Sequence, residues 1–160
     1  MIKPVLVLGI GNYLMGDEGL GVHLTRILEG EYEDSEFVDV IDGGTGGFHL
    51  LEFFELYRHV ILIDATLDQN PTGTIRLIKP RFALDFPNAM STHDIGLKDL
   101  VSALQLLDKM PDVRLFVVSI ATIQQQGIEL TPEIEKVMPE LKQKVMALCD
   151  QILESDLAVV

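Results

Sequence analysis

Val5-Leu-Val-Leu-Gly-Ile-Gly-Asn-Tyr-Leu-Met-Gly-Asp-Glu-Gly19 is the stretch whose reading decides the fold. A short apolar run, broken by Gly9 and Gly11, reads as a fully buried strand over Val5–Ile10. Two acids, Asp17 and Glu18, follow, and then an amphipathic helical pattern begins. This is the outline of the first βα unit of an open parallel sheet, in which ligands collect at the carboxyl ends of the strands.

Working outward, residues 17–29 read as a helix with Leu20, Leu24, Ile27 and Leu28 on one face, and Gly30 stands where a left-handed C-terminal residue is favoured. Residues 37–41 read as a second strand, ending in the glycine-rich loop Asp42-Gly-Gly-Thr-Gly-Gly47. Residues 48–57 form an apolar helix whose wet side carries Glu52 and Glu55. Residues 60–64 are a third buried strand that ends on Asp64. Turn chemistry over 68–73 leads to a further strand at 74–78, placed at an edge, and residues 80–89 read as loop.

Ser91-Thr-His-Asp94 can cap a helix whose face is Leu97, Leu100, Val101, Leu104 and Leu107. The last buried strand is 113–119. Thr131-Pro132 supplies an N-cap and first-turn pair for a helix running to about Leu153, with Ile134, Val137, Met138, Leu141, Val145, Leu148 and Ile152 on its buried stripe. Pro139 inside that pattern predicts a kink or restart. Strands alternating with helices, without repeats or linkers, make one domain of 160 residues. The expected fold is a three-layer α/β/α sandwich around a twisted, mostly parallel sheet of about five strands.

Composition narrows the function. The chain is 48% hydrophobic and 23% charged, as expected for a compact domain. With neither a membrane span nor a signal-peptide pattern, the expected location is the cytoplasm. The single Cys149 rules out an internal disulfide and any multi-cysteine metal site, and it reads as a small buried hydrophobe. A net charge of -13 argues against binding nucleic acid or anionic membranes through a basic patch.

Two chemistries compete for the rim. Gly9-x-Gly11 after a strand, with Asp42 ending the next, imitates a dinucleotide fingerprint. The imitation fails where Leu14 replaces the third glycine. It fails again where Asp17 and Glu18 occupy the helix start that a pyrophosphate would need. The other candidate is a metal ion. Glu18 follows the first strand, Asp64 ends the third and His93 precedes a helix, and strands one and three are commonly neighbours across a switch point. Two carboxylates and an imidazole suit a borderline divalent ion such as zinc or nickel, with positions left open for water or substrate. Spacing alone leaves a blander reading open. First-turn acids are favoured by the helix dipole, a strand-ending Asp often caps a loop, and His93 can be a surface cap. His23, His49 and His59 read as surface or half-buried side chains, and no serine sits in a nucleophile motif.

Read together, Leu8-Gly-Ile-Gly-Asn-Tyr-Leu-Met-Gly-Asp-Glu-Gly-Leu-Gly-Val22, Asp42-Gly-Gly-Thr45, Ile63-Asp-Ala65 and Ser91-Thr-His-Asp94 resemble the hydrogenase maturation endopeptidases. These are cytoplasmic proteases that trim the C-terminus of the large subunit of [NiFe]-hydrogenases. The likeness covers nearly the whole chain in unchanged order. It implies that the family's metal ligands fall on Glu18, Asp64 and His93, with nickel supplied by the substrate precursor and zinc or cadmium able to substitute in a crystal.

The partner so implied is the hydrogenase large-subunit precursor, acted on by a monomer. Catalysis would rest on Glu18, Asp64 and His93. Asp17, Asp42, Gly43, Gly44 and Thr45 would face the substrate, the two acids orienting ligands or receiving protons, or serving only as cap and turn residues. A non-catalytic nickel-checking chaperone or scaffold for the same precursor would need the same ligands and is the alternative. One departure stands out. Ile120-Ala-Thr-Ile-Gln-Gln-Gln-Gly127 lacks the Pro-Glu-like stretch that family members often carry after the last strand, which bears on the substrate-facing rim.

Overall fold

The structure, a computed structural model, describes residues 2–46, 48–80, 97–122 and 126–158. Five strands form one sheet: β1 (Val5–Gly9), β2 (Val38–Asp42), β3 (His59–Thr66), β4 (Ile75–Ile78) and β5 (Asp112–Ser119), in the order β2-β1-β3-β5-β4. Four run parallel, and β4 lies antiparallel to β5 at the edge. The helices are α1 (Leu20–Tyr32), α2 (Leu51–Leu56), α3 (Leu97–Leu106) and α4 (Pro132–Ala158).

Alternation along the strands divides the core in two. Val5, Val7, Ile61 and Ile63 pack with Leu20, Leu24 and Leu28 of α1 and with Ile134, Leu141 and Val145 of α4. Leu6, Leu8, Val60 and Leu62 face the other way, onto Leu50, Phe54 of α2, and Val101 and Leu104 of α3. Strands covered on both faces must be apolar at every position, which is why Val5–Leu8 shows no polar alternation. The expected three-layer sandwich is what forms.

Several boundaries differ from the sequence expectation. The first helix opens as a 3₁₀ turn over Gly16–Gly19 and becomes α-helical only at Leu20. It does not stop at Gly30 but runs on to Tyr32, whose ring packs on the α1/α4 core. Tertiary contact there outweighs the glycine's weak helix preference of about 1 kcal/mol. Ile27 and Leu107, expected on buried faces, are exposed. Leu107 follows the end of α3, where Asp108 takes a left-handed φ of 55°. The helix expected over 48–57 is a 3₁₀ turn, Phe48–Leu50, followed by α2. Pro139 neither ends nor restarts α4, which is helical throughout. Its stripe from Ile134 to Ile152 is buried along the sheet, and that packing exceeds the roughly 3 kcal/mol proline cost.

The chain order gives the sheet two distinct ends. At the amino end, His59 opens β3 with Nδ1 3.0 Å from Asp112 of β5 and Nε2 3.0 Å from Asp156 of α4. With both nitrogens facing carboxylates, the ring clasps the end of α4 to the sheet. Because only residues 107–111 join α3 to the start of β5, α3 ends at this same edge and its first residue lies toward the opposite, carboxyl rim.

Candidate active site

Strand β2 returns to one side of β1 and β3 to the other, so the β1/β3 junction is the switch point of the sheet. Pairing of β1 with β3 ends at Gly9 opposite Ile63, and the Ile10 amide still donates to the Ile63 carbonyl at 2.9 Å. Strand β3 continues for Asp64, Ala65 and Thr66, which are paired only with β5. The chain leaving β1 has meanwhile turned away, and the 3₁₀ turn Gly16–Gly19 packs onto the exposed flank of β3. This step between strand ends is the crevice.

Glycine makes the turn possible. Helix α1 lies so close to the strands that a Cβ on Gly21 would overlap the carbonyl oxygens of Ile63 and Ile10, and one on Gly9 would overlap the Gly21 carbonyl. Gly11 and Gly16 hold φ values of 144° and 58°, in the left-handed half of φ space that favours glycine. Together these glycines let the chain reverse above β1 and press its first helical turn against β3.

That approach buries two acids. Glu18, on the 3₁₀ turn, and Asp64, near the end of β3, are each 0% exposed. One Asp64 oxygen accepts the Ala65 amide at 2.8 Å. Two carboxyl side chains buried at one strand-end crevice put oxygen atoms where the sheet opens at its switch point. Asp64 alternates with Ile63 and Ala65 and so faces the layer of α2 and α3. His93, four residues before α3, lies outside the described residues, as do Ser91, Thr92 and Asp94. Among the described residues no group of three or more His, Cys, Asp or Glu is arranged to hold a metal ion.

The other expected site residues are also placed at this rim. Both oxygens of Asp17 turn toward the start of α4, accepting the Thr131 amide and the Thr131 hydroxyl at 2.8 Å each. Asp42 is exposed and accepts the Gly44 amide at 2.8 Å, closing an Asx turn. The Gly43 amide donates to the Gly9 carbonyl at 2.8 Å, and the Gly11 amide to the Gly44 carbonyl at 2.7 Å. The loop carrying Asp42, Gly43, Gly44 and Thr45 is thereby laid along the exit of β1, with Thr45 exposed.

Sequence reasoning pointed to residues 120–127 as part of the rim but not to the pairing of residues 127–131 with residues 14–17. The Gly127 amide donates to the Leu14 carbonyl at 2.7 Å and the Gly16 amide to the Gly127 carbonyl at 2.8 Å. His23 is half-buried beside this segment; burial lowers its pKa, opposed by a hydrogen bond to the Ile128 backbone. Its ring lies 4.8 Å from that of Tyr13, over which Arg26 stacks at 4.0 Å.

A three-layer sheet with buried Glu18 and Asp64 at its switch-point rim defines an α/β protein with an acid-bearing rim, and known proteins share this fold. The fold superposes on the hydrogenase maturating endopeptidase HybD of Escherichia coli with a TM-score of 0.82 and 31% identity, covering 93% of each chain. The [NiFe] hydrogenase maturation protease HybD of Thermococcus kodakarensis gives a TM-score of 0.75 at 25% identity, over 92% of this chain and 99% of that one. In sequence, the hydrogenase 2 maturation protease of Escherichia coli strain K12 is 34% identical over 154 residues, 94% of each protein. The profile of the hydrogenase maturation protease family matches residues 22–148. The chain belongs to the hydrogenase maturation proteases.

Proposed function

We propose that this protease removes a C-terminal extension from the nickel-loaded large-subunit precursor of a [NiFe]-hydrogenase. Glu18, Asp64 and His93 would engage the nickel that the precursor carries. The observation that carries this reading is the complete burial of Glu18 and Asp64 at the β1/β3 crevice. The two carboxyl groups come from the 3₁₀ turn and from β3. The imidazole would come from His93, four residues before α3 in the sequence. Carboxylates with one imidazole suit a borderline divalent ion.

An ion held there supplies Lewis-acid polarisation of the scissile carbonyl and a bound water of lowered pKa. The chain's own residues do the rest. Glu18 and Asp64 fix the ion's position relative to the sheet. The backbone of Gly43 and Gly44, free of side chains, lets an extended peptide approach closely. Asp42, exposed at the lip, is placed to receive a proton or orient the entering peptide. Asp17 acts on the rim through Thr131. The site belongs to the cytoplasmic maturation of the hydrogenase and acts as a monomer.

The test mixes purified protein with nickel-loaded and nickel-free precursor and follows the truncated product by mass. Cleavage of the loaded form alone is expected, with Glu18→Gln and His93→Ala losing at least about 100-fold in rate, as removal of a positioned charge typically does. Cleavage of nickel-free precursor, or full activity of either variant, overturns the nickel assignment.

A further inference from the structure

We infer that Leu14 and Ile128 form a substrate-docking ledge, on which apolar side chains of the precursor rest as its polypeptide enters the crevice. The inference rests on the cleavage reading above and adds the surface that selects the client. Met15 and Gly127 form a parallel bridge, which Leu14 immediately precedes and Ile128 immediately follows. These two large apolar side chains are 59% and 50% exposed. Among the other exposed apolar residues described, Ile2, Phe37, Leu106 and Leu157 belong to the opposite end of the sheet, and Ile27 and Leu77 lie within α1 and β4.

The ledge is braced rather than loose. Gly127 is tied in both directions to Leu14 and Gly16, Asp17 holds Thr131, and His23 is bonded to the Ile128 backbone. Exposed apolar side chains on a backbone already held in place lose little conformational entropy when covered, so they favour association more than mobile ones do. Continuity with the candidate site decides the occupant. Leu14 lies four residues before Glu18, just ahead of the 3₁₀ turn, and that turn is itself tied to the strip by the Gly16 amide on the Gly127 carbonyl, so a polypeptide laid against Glu18 runs alongside Leu14 and Ile128. A protein substrate needs such an apolar anchor beside the reacting bond, where a few contacts dominate affinity.

The experiment measures kcat and KM for cleavage of nickel-loaded precursor by wild type, Leu14→Asp, Ile128→Asp and, as a control at the far end, Leu157→Asp. Free-protein oligomeric state is followed by size-exclusion chromatography. Each rim variant is expected to raise KM about 10-fold, the effect of losing one moderate interface contact, with kcat and Tm held and the control unchanged. Unchanged KM in both rim variants, a kcat loss without a KM change, or an altered oligomeric state without a KM change each overturns the ledge. Failure of wild type to cleave overturns the cleavage reading instead, so the two are told apart.

Discussion

Gly21 shows how one missing side chain positions the chemistry. Its Cα faces the Ile63 and Ile10 carbonyls, and the closeness of α1 to β3 brings Glu18 down onto the strand that carries Asp64. Gly21→Ala would set a methyl group against main-chain oxygen that has no rotamer to adjust. The expected result is destabilisation of at least about 1–3 kcal/mol, read as a lower urea midpoint at unchanged slope. The nearby acids differ in what their environment allows. Asp17, 3% exposed, has both oxygens engaged by Thr131, whereas Asp42 is exposed and uses one oxygen to close an Asx turn. Spacing could not separate these roles, because both acids follow or precede a glycine turn at a strand end.

At the scale of elements, the 3₁₀ turn over Gly16–Gly19 and the start of α4 behave as one unit, joined across 114 residues of sequence by the Asp17–Thr131 pair. Hydrogen bonds to a charged acceptor contribute about 1.5–3 kcal/mol each. Thr131→Val keeps the amide bond and loses the hydroxyl bond. It is expected to lower stability by about that amount in chemical denaturation, while Thr131→Ser restores most of it. An equal loss in the serine variant would show that packing of the methyl, rather than the hydroxyl bond, holds the unit together. Helix α4 then runs from this rim to the amino end of the sheet, where Asp156 meets His59.

At the scale of the whole molecule, hydrogen bonds and then charge pairs determine the behaviour of three acids. Burial pushes Asp39, Asp68 and Asp112 upward, but their partners outweigh it and hold all three below the usual 3.8. The partners are Tyr57 and Lys3 for Asp39, Ser119, Asn70 and Arg76 for Asp68, and His59, Arg114 and Lys79 for Asp112. A depressed folded-state pKa means that the folded state binds protons less readily than the unfolded chain. The stabilisation is therefore complete above about pH 4 and is lost as pH falls through the lowered values. Tm measured from pH 6 down to pH 2 is expected to stay level at first and then drop below pH 4. Asp112→Asn should flatten part of that drop. Tyr57, pushed up to about 12 by burial and then by the Asp39 carboxylate, stays neutral throughout this range.

Much of this was legible in the linear chain because the sheet is covered on both sides. Unbroken apolar runs at β1, β3 and β5, separated by helical periodicity, have few arrangements other than a parallel sheet between helix layers. The same reading placed Glu18 and Asp64 at strand ends, and burial at 0% is what the crevice then imposes on them. What only the tertiary structure decided depends on contacts between distant segments. Examples are the continuation of α1 past Gly30, the passage of α4 through Pro139, the use of Asp17 by Thr131 and the clasp of His59 by Asp112 and Asp156. In each, local preference is worth about 1–3 kcal/mol, and packing or pairing across the sheet exceeds it. Sequence thus determined the layers and the order of the acids along the chain through hydrophobic period, while one wall of the rim was set by the contact of Asp17 with Thr131, 114 residues apart in the chain, which no local pattern encodes.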